Sequence, residues 1–432
     1  TFYISAAVLL LNTLAAVVVA NLFLGFIFWV RDAVQPNPTA ARKTAPAQPG
    51  VHFNPDGSPV DNGKRSLYQL DWIDFNAYGD VDAAYVSEVL DDFFALSNLG
   101  LQYQPWVQFA EPTFHGKHLI IENDVLGFPR RRTVNRENSA KRPIVEIFTL
   151  GGSTTFGYNV SDEHTWPSYL SEVLNDVARR DALDVYVHLT NYGRAYYYPS
   201  QETALLIDLL KTGHRPNLVI FLDGVNWSQF RDVPFFYEEA KRQFFRLQFA
   251  ERPADDQSLI RRFEWIPFVR LATALNRRLS GTAPSDPAAQ WEARENPGRI
   301  DRLVNLFRQN RAISAKVCEV YSIRCLFVLQ PHPVATYPVE LYRRSLPEDF
   351  YPWRDRARAF YDRMRADPDY LYLGDLFSVW GKRKAVIDEL HYSPAFNRFL
   401  AEQIARHIDL KRLVPRTSVI DTTAATGMSR TD

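Results

Sequence analysis

The sequence predicts a three-layer α/β protein with a mostly parallel sheet, preceded by a single transmembrane helix. Three observations predict it. From residue 144 onward, short β-branched apolar runs alternate with helix-like segments, the pattern of βαβ units. Glycine- and asparagine-bearing turns directly follow those runs, as loops at strand ends do. Ahead of both, residues 2–30 carry no charged side chain, and about 20 apolar residues suffice for a helix to cross a bilayer.

Taken in order, the apolar run 2–30 is flanked by Phe2 and Tyr3 at one end and Phe28 and Trp29 at the other, aromatics that suit the two membrane interfaces. A cleaved signal peptide has a shorter apolar region followed by a small-residue site, so the reading is a retained anchor. Asn12 and Asn21 within it suit hydrogen bonding to a neighbouring helix. Residues 31–64 turn to Pro, Ala, Gly, Asn and Asp, a linker composition. Residues 65–142 form an accessory segment with a helix over Val81–Leu99 and a strand over His118–Glu122. Its run Arg130-Arg131-Arg132 reads as solvated surface with local ion pairs.

The main domain spans 143–410. Strands are expected at Ile144–Leu150, Asp184–Leu189, Leu218–Leu222, Arg324–Leu329 and Tyr370–Leu373, and helices at Trp166–Ala178, Pro199–Leu210, Ile300–Val320 and Pro394–Ile408. Prolines open two of these helices and Gly213 follows one, each where backbone geometry favours it. The stretch 227–298 is a long insertion after the third strand, placed as a lid or partner surface. Residues 411–432 are a polar tail.

Composition narrows the function. Lys+Arg and Asp+Glu each total 50, giving zero formal charge, without the basic excess of a nucleic-acid binder. Hydrophobic residues at 46% and charged ones at 23% are ordinary for a globular core. The two cysteines, Cys318 and Cys325, bracket a helix–strand junction. A disulfide and two buried thiols both fit, because the spacing alone does not give the Cβ separation a bridge needs. No His/Cys/Glu cluster has metal-ligand spacing, no glycine-rich phosphate loop precedes a helix, and no cofactor is expected.

Four short motifs fall at or beyond strand ends: Gly151-Gly152-Ser153, Asn191-Tyr192-Gly193, Gly224-Val225-Asn226, and Asp388-Glu389-Leu390-His391. The carboxyl ends of a parallel sheet open on one crevice, so residues far apart in sequence can converge there. Acyl transfer needs a nucleophilic hydroxyl, an imidazole to take its proton and a carboxylate to orient the imidazole. Ser153, His391 and Asp388 can fill these roles. Donors for the developing oxyanion are the backbone N–H groups of Ser153 and Gly193 and the side-chain amide of Asn226. His332, after the fourth strand, is read as structural or peripheral.

The order of these motifs resembles the SGNH hydrolase superfamily of GDSL-type esterases and lipases. Its four blocks contribute a serine, a glycine, an asparagine and a histidine, with an aspartate three positions before the histidine. Here these are Ser153, Gly193, Asn226, His391 and Asp388, and the match covers about 143–407. The preceding span, linker and Gly-Phe-Pro-Arg stretch are similar to those of membrane-anchored members. Two departures stand out: the first block reads Gly-Gly-Ser-Thr-Thr instead of Gly-Asp-Ser-Leu, and Trp227 follows the asparagine where many members carry Asp.

The resemblance implies a flavodoxin-like sheet and a serine esterase acting on acyl or acetyl esters of carbohydrate or lipid through an acyl-enzyme. It implies no cofactor. The single flank available for counting charges, with Arg31, Arg42 and Lys43, leaves orientation to other signs. The enzyme class and the candidate disulfide favour a soluble part in the periplasm or outside the cell. Two other functions use the same features. One is O-acyl transfer with the same triad. The other is a non-catalytic subunit of a membrane complex, meeting a membrane-protein partner through the span, the insertion or the tail.

Overall fold

The computed structural model describes residues 73–229 except 139, 298–346 and 350–414, together with scattered positions between 8 and 25 and at 266–267. The chain divides into two compact units, one of residues 1–49 and 240–296 and the other of 50–239 and 297–432. The linker, most of the insertion and the tail from 415 lie outside the described residues. So does much of the apolar run 2–30. Its described positions are helical, and among the described residues no helix is long and apolar enough to cross a membrane.

Ten strands are described: β1 Gln102–Gln104, β2 Gln108–Ala110, β3 Phe114–His115, β4 Ile120–Asn123, β5 Pro129–Arg131, β6 Ile144–Gly151, β7 Tyr186–Asn191, β8 Leu218–Asp223, β9 Arg324–Leu329 and β10 Leu371–Tyr372. The helices are α1 Ala83–Leu99, α2 Ser153–Phe156, α3 Trp166–Arg180, α4 Pro199–Lys211, α5 Val225–Gln229, α6 Arg299–Val320, α7 Pro333–Thr336, α8 Phe350–Met364, α9 Leu376–Trp380 and α10 Pro394–Ala405. All five strands expected in the main domain are present, within a few residues of the expected bounds.

β1 and β2 form a separate hairpin, and the other eight strands form one sheet in the order β10-β9-β8-β6-β7-β5-β4-β3. From β10 to β7 every pairing is parallel. Counting from β6, that part runs 2-1-3-4-5, the flavodoxin-like order, whose switch point lies between β6 and β8. The expectation of a parallel sheet is corrected at one edge. β5, β4 and β3 continue it antiparallel, joined through Arg131 opposite Asn191. These accessory strands are two to four residues long and partly polar, so alternation is too brief to announce them. A tight turn joins β4 to β5, with Gly127 at φ 90° and its N–H bonded to Asp124 O, a link only antiparallel neighbours can use.

Alternate strand residues face opposite layers. On one face Val145, Ile147, Val187, Leu189, Ile220 and Leu222 pack under α3 and α10 through Trp166, Leu170, Phe396 and Leu400. Helix α3 starts where Thr165 accepts the Ser168 N–H, and α10 where Ser393 accepts that of Phe396, each satisfying an otherwise orphaned donor. On the other face Phe221 stacks on Phe327, and Phe307 of α6 reaches Tyr370 at a centroid distance of 5.1 Å. The result is three layers.

Cys318 at the end of α6 and Cys325 in β9 are joined as a disulfide, with Cα atoms 6.4 Å apart. Closing so short a loop restricts the unfolded chain by about 2–3 kcal/mol. We predict that Cys318→Ala with Cys325→Ala lowers the unfolding free energy by about 2 kcal/mol in urea titrations. Reducing agent should lower wild-type stability to match and leave the double variant unmoved.

Candidate functional site

Buried β6 ends at Gly151, and the chain turns through Gly152 directly into α2, whose first residue is Ser153. Asn226 lies at the start of α5, just beyond β8. Both therefore sit at the switch point, where the loops diverge and leave a crevice. Gly152 has no room for a side chain: a Cβ there would run into Asn226 Nδ2 and lie 3.1 Å from Tyr197 O. That close approach presses the asparagine amide against the residue before Ser153. One of its two N–H groups donates to Tyr197 O at 2.7 Å, which fixes the amide plane and leaves the second N–H as a donor.

The acid–base pair comes from the loop before α10. Asp388 Oδ2 is 2.6 Å from His391 Nδ1, and Asp388 Oδ1 accepts the backbone N–H groups of Leu390 at 2.7 Å and His391 at 2.8 Å. Burial opposes both charges. For Asp388 the neighbouring imidazole and the backbone donors win, and its pKa is held below the ordinary carboxylate value. For His391 burial favours the neutral ring, but the Asp388 carboxylate outweighs it and the pKa is raised. An ionised carboxylate only accepts, so Nδ1 carries the proton toward it and the neutral ring keeps its lone pair on Nε2. That Nε2 is buried without a hydrogen-bond partner among the described residues.

Three ties bring the serine loop to this pair. The Tyr158 N–H donates to Ser153 O, and the Tyr158 ring stacks on His391 at 5.4 Å. Thr154 Oγ1 and Tyr392 Oη both donate to Gln330 Oε1, at 2.6 and 3.1 Å. Asn159 Nδ2 donates to Asp388 Oδ2 at 2.6 Å. These contacts link the loop that follows Ser153 to the loop that carries Asp388 and His391. The Ser153–His391 hydrogen bond is not formed.

The Gly193 N–H donates to Asn191 Oδ1 at 2.9 Å, so it is engaged within its own loop. Its lack of a side chain serves packing, since a Cβ would lie 2.7 Å from the Thr155 carbonyl carbon. Asn191 Nδ2 in turn donates to Thr155 O at 2.9 Å, so Asn191 and Gly193 brace the serine turn from behind. Beyond them Tyr196 takes a left-handed φ of 61° and is 57% exposed.

Arg131 is the largest departure from the sequence reading. It is fully buried, with Nε 3.0 Å from Asp162 Oδ1. Nη1 donates to Phe156 O at 2.7 Å and to Gly157 O, and Nη2 donates to Val160 O. Its neighbours also form ion pairs, the partly exposed Arg130 with Glu122 and the exposed Arg132 with the buried Asp162. His332 is structural: it is fully buried, Nε2 lies 2.7 Å from Ser228 Oγ, and burial pushes its pKa down to about 3. Trp227 is also fully buried, donating to Leu303 O at 3.1 Å. Among the described residues no group of His, Cys, Asp and Glu could hold a metal ion.

No family model and no curated protein matches the chain. Among solved structures it is similar to a lipolytic protein of the G-D-S-L family from Desulfitobacterium hafniense, at 13% identity over 61% of this chain and 99% of that one, with a TM-score of 0.31. A G-D-S-L lipolytic protein from Veillonella parvula shares 11% identity over 61% of this chain and 97% of that one, with a TM-score of 0.34. The psychrotrophic esterase EstA from Pseudoalteromonas sp. shares 11% identity over 61% and 95%, with a TM-score of 0.30. At this distance they assign neither a substrate nor a catalytic residue.

Proposed function

We propose that the chain is a membrane-anchored, extracytoplasmic serine esterase of SGNH type, acting on acyl or acetyl esters of carbohydrate or lipid. The observation that carries the chemistry is the His391 ring. Its Nδ1 is bound to an anionic Asp388, and its Nε2 is buried without a hydrogen-bond partner among the described residues. A buried nitrogen base without a donor is costly to maintain, and the cost is met once a substrate-bound serine hydroxyl swings in to donate to it.

In this reading Ser153 Oγ attacks the ester carbonyl while its proton passes to Nε2, and Asp388 stabilises the imidazolium. The Ser153 N–H and the free N–H of Asn226 receive the oxyanion. The imidazolium protonates the leaving alcohol. His391 then takes a proton from water as the water oxygen attacks the acyl carbonyl, and the imidazolium returns that proton to the departing Ser153 Oγ as the acid is released. Anchoring rests on the uncharged run 2–30. The disulfide supports a location outside the cytoplasm.

Labelling with a fluorophosphonate probe tests the nucleophile. The wild type should become labelled, and Ser153→Ala should not. A folded wild type that stays unlabelled would overturn the esterase reading in favour of a non-catalytic subunit. Supplying an acyl donor with and without a sugar acceptor then separates hydrolysis from O-acyl transfer by product.

The pH dependence has a definite sign. A general base works only when neutral, so kcat/KM should rise with pH through the His391 pKa. Because that pKa is raised, the acid limb should lie above the ordinary histidine value of about 6.5. Asp388→Asn should cost roughly 10⁴-fold in kcat, as loss of the orienting carboxylate does in such triads.

A further inference from the structure

Asp388 holds more donors than a two-residue dyad requires. Its Oδ2 accepts not only His391 Nδ1 but also Asn159 Nδ2, each at 2.6 Å. The geometry points to Asn159 as a positioning residue of the catalytic machinery, a fourth member that sets the direction and the strength of the Asp388–His391 bond. The inference rests on the esterase reading of the same site.

The placement of Asn159 is specific. It belongs to the loop that follows Ser153, while its amide reaches the loop that carries the acid and the base. One side chain therefore ties the nucleophile's loop to its partners' loop. Asn159 is 3% exposed and takes a left-handed φ of 65°, a conformation that costs most side chains energy and that asparagine tolerates. Its carbonyl accepts Tyr78 Oη at 2.8 Å, so the accessory segment holds the backbone from the far side. Nothing about the turn alone requires an amide here, because glycine adopts this φ more easily. The amide is what reaches Asp388.

Two consequences follow from sharing one oxygen. The Asn159 and His391 donors together fix the carboxylate's rotation, and the Leu390 and His391 N–H groups fix it from Oδ1. Asn159 also draws negative charge on Oδ2 toward itself, which moderates the pull of Asp388 on the imidazolium. Removing the amide should therefore strengthen the ion pair and raise the His391 pKa further, while loosening the orientation that catalysis needs. The other titratable and charged groups facing the pair are Glu389 in the same loop, Tyr158 on the serine loop, Tyr78 and Asp74 on the accessory segment, the latter paired with Lys384, and Tyr342, Arg343 and Arg344. Glu389 is pushed up to about 7 by burial and by Asp388, so its own titration must be removed before that of His391 is read.

The decisive variant is Asn159→Gly, which keeps the left-handed backbone and deletes the amide. The His391 ring is followed by NMR titration in wild type and variant, both in a Glu389→Gln background, with His391→Gln to assign the signal. The expected result is an upward shift of the His391 pKa in Asn159→Gly with melting close to its parent. On a p-nitrophenyl ester, kcat should fall roughly 10- to 100-fold, the worth of a hydrogen bond to a charged group, with KM little changed. Tyr78→Phe is the control: it loosens the same loop, leaves the amide in place, and should leave the His391 titration where it was. An unmoved His391 pKa in folded Asn159→Gly would overturn the assignment, as would an equal shift in Tyr78→Phe. If neither protein turns over an ester but the shift appears, the esterase reading fails and the positioning role stands.

Discussion

A single buried guanidinium sets the shape of the serine loop. Arg131 reaches the carbonyls of Phe156, Gly157 and Val160 and the carboxylate of Asp162. These groups lie on the stretch that leaves Ser153 and turns toward Asn159. Beyond the end of α2 at Phe156, Gly157 O also accepts the Val160 N–H. The Phe156 and Val160 carbonyls depend on Arg131 for their donors, and a buried acceptor left without one costs on the order of 1–3 kcal/mol. An arginine suits the position because its planar fork carries five donors in fixed directions. Removing one partner of such a buried pair costs more than the pair contributes, since the other charge is left uncompensated.

That dependence explains why the accessory segment and the main domain cannot be treated as separate modules. β5 carries Arg131 and pairs with β7 opposite Asn191, and Asn191 braces the serine turn through Thr155. Glu111, just beyond β2, accepts the Ala195 N–H at 2.6 Å, and Phe109 O accepts Tyr197 Oη. Tyr197 O is in turn the acceptor that fixes Asn226. The segment thus reaches each loop around the crevice by a different route. At the other end of the segment, the Asp74 N–H donates to Ile387 O, and the Asp74 carboxylate pairs with Lys384 at 2.8 Å, next to Asp388. The parallel sheet decides where the loops emerge. The antiparallel extension and its side chains decide how they are held.

What the sequence revealed divides along the same line. The five parallel strands and their helices were legible because burial on both faces demands long apolar runs, as in Leu218–Asp223, where all six residues are buried. The placement of Ser153 and Asn226 just beyond strand ends, and of Asp388 and His391 just before the last helix, was legible because strand ends and helix starts are marked by turn residues. The packing role of Gly193 was not legible, because a glycine in a motif serves two purposes. Sequence does not distinguish an exposed N–H from a close backbone approach, and here the approach to Thr155 and Phe156 is what excludes a side chain. Arg131 was hidden inside a run of three arginines, and nothing in the run itself sets it apart from its more exposed neighbours Arg130 and Arg132. Asn159 left one faint sign, a polar residue that favours left-handed turns, placed two positions after a glycine. Its partner lies 229 positions away, beyond the reach of any local pattern.

The site also shows how donor count decides the charge of a buried carboxyl. Asp388 is largely buried, which by itself favours the neutral acid, yet four donors converge on its two oxygens and its pKa falls. Glu202 and Asp223 interact with the opposite balance. Both are buried, and the two Glu202 oxygens have no hydrogen-bond donor among the described residues. Burial raises both pKa values, with Asp223 reaching about 7 and Glu202 raised further by Asp223. Burial thus favours the protonated acid at this pair, whereas at Asp388 the converging donors favour the anion. The difference lies in whether backbone N–H groups, an amide and an imidazole are aimed at the oxygens.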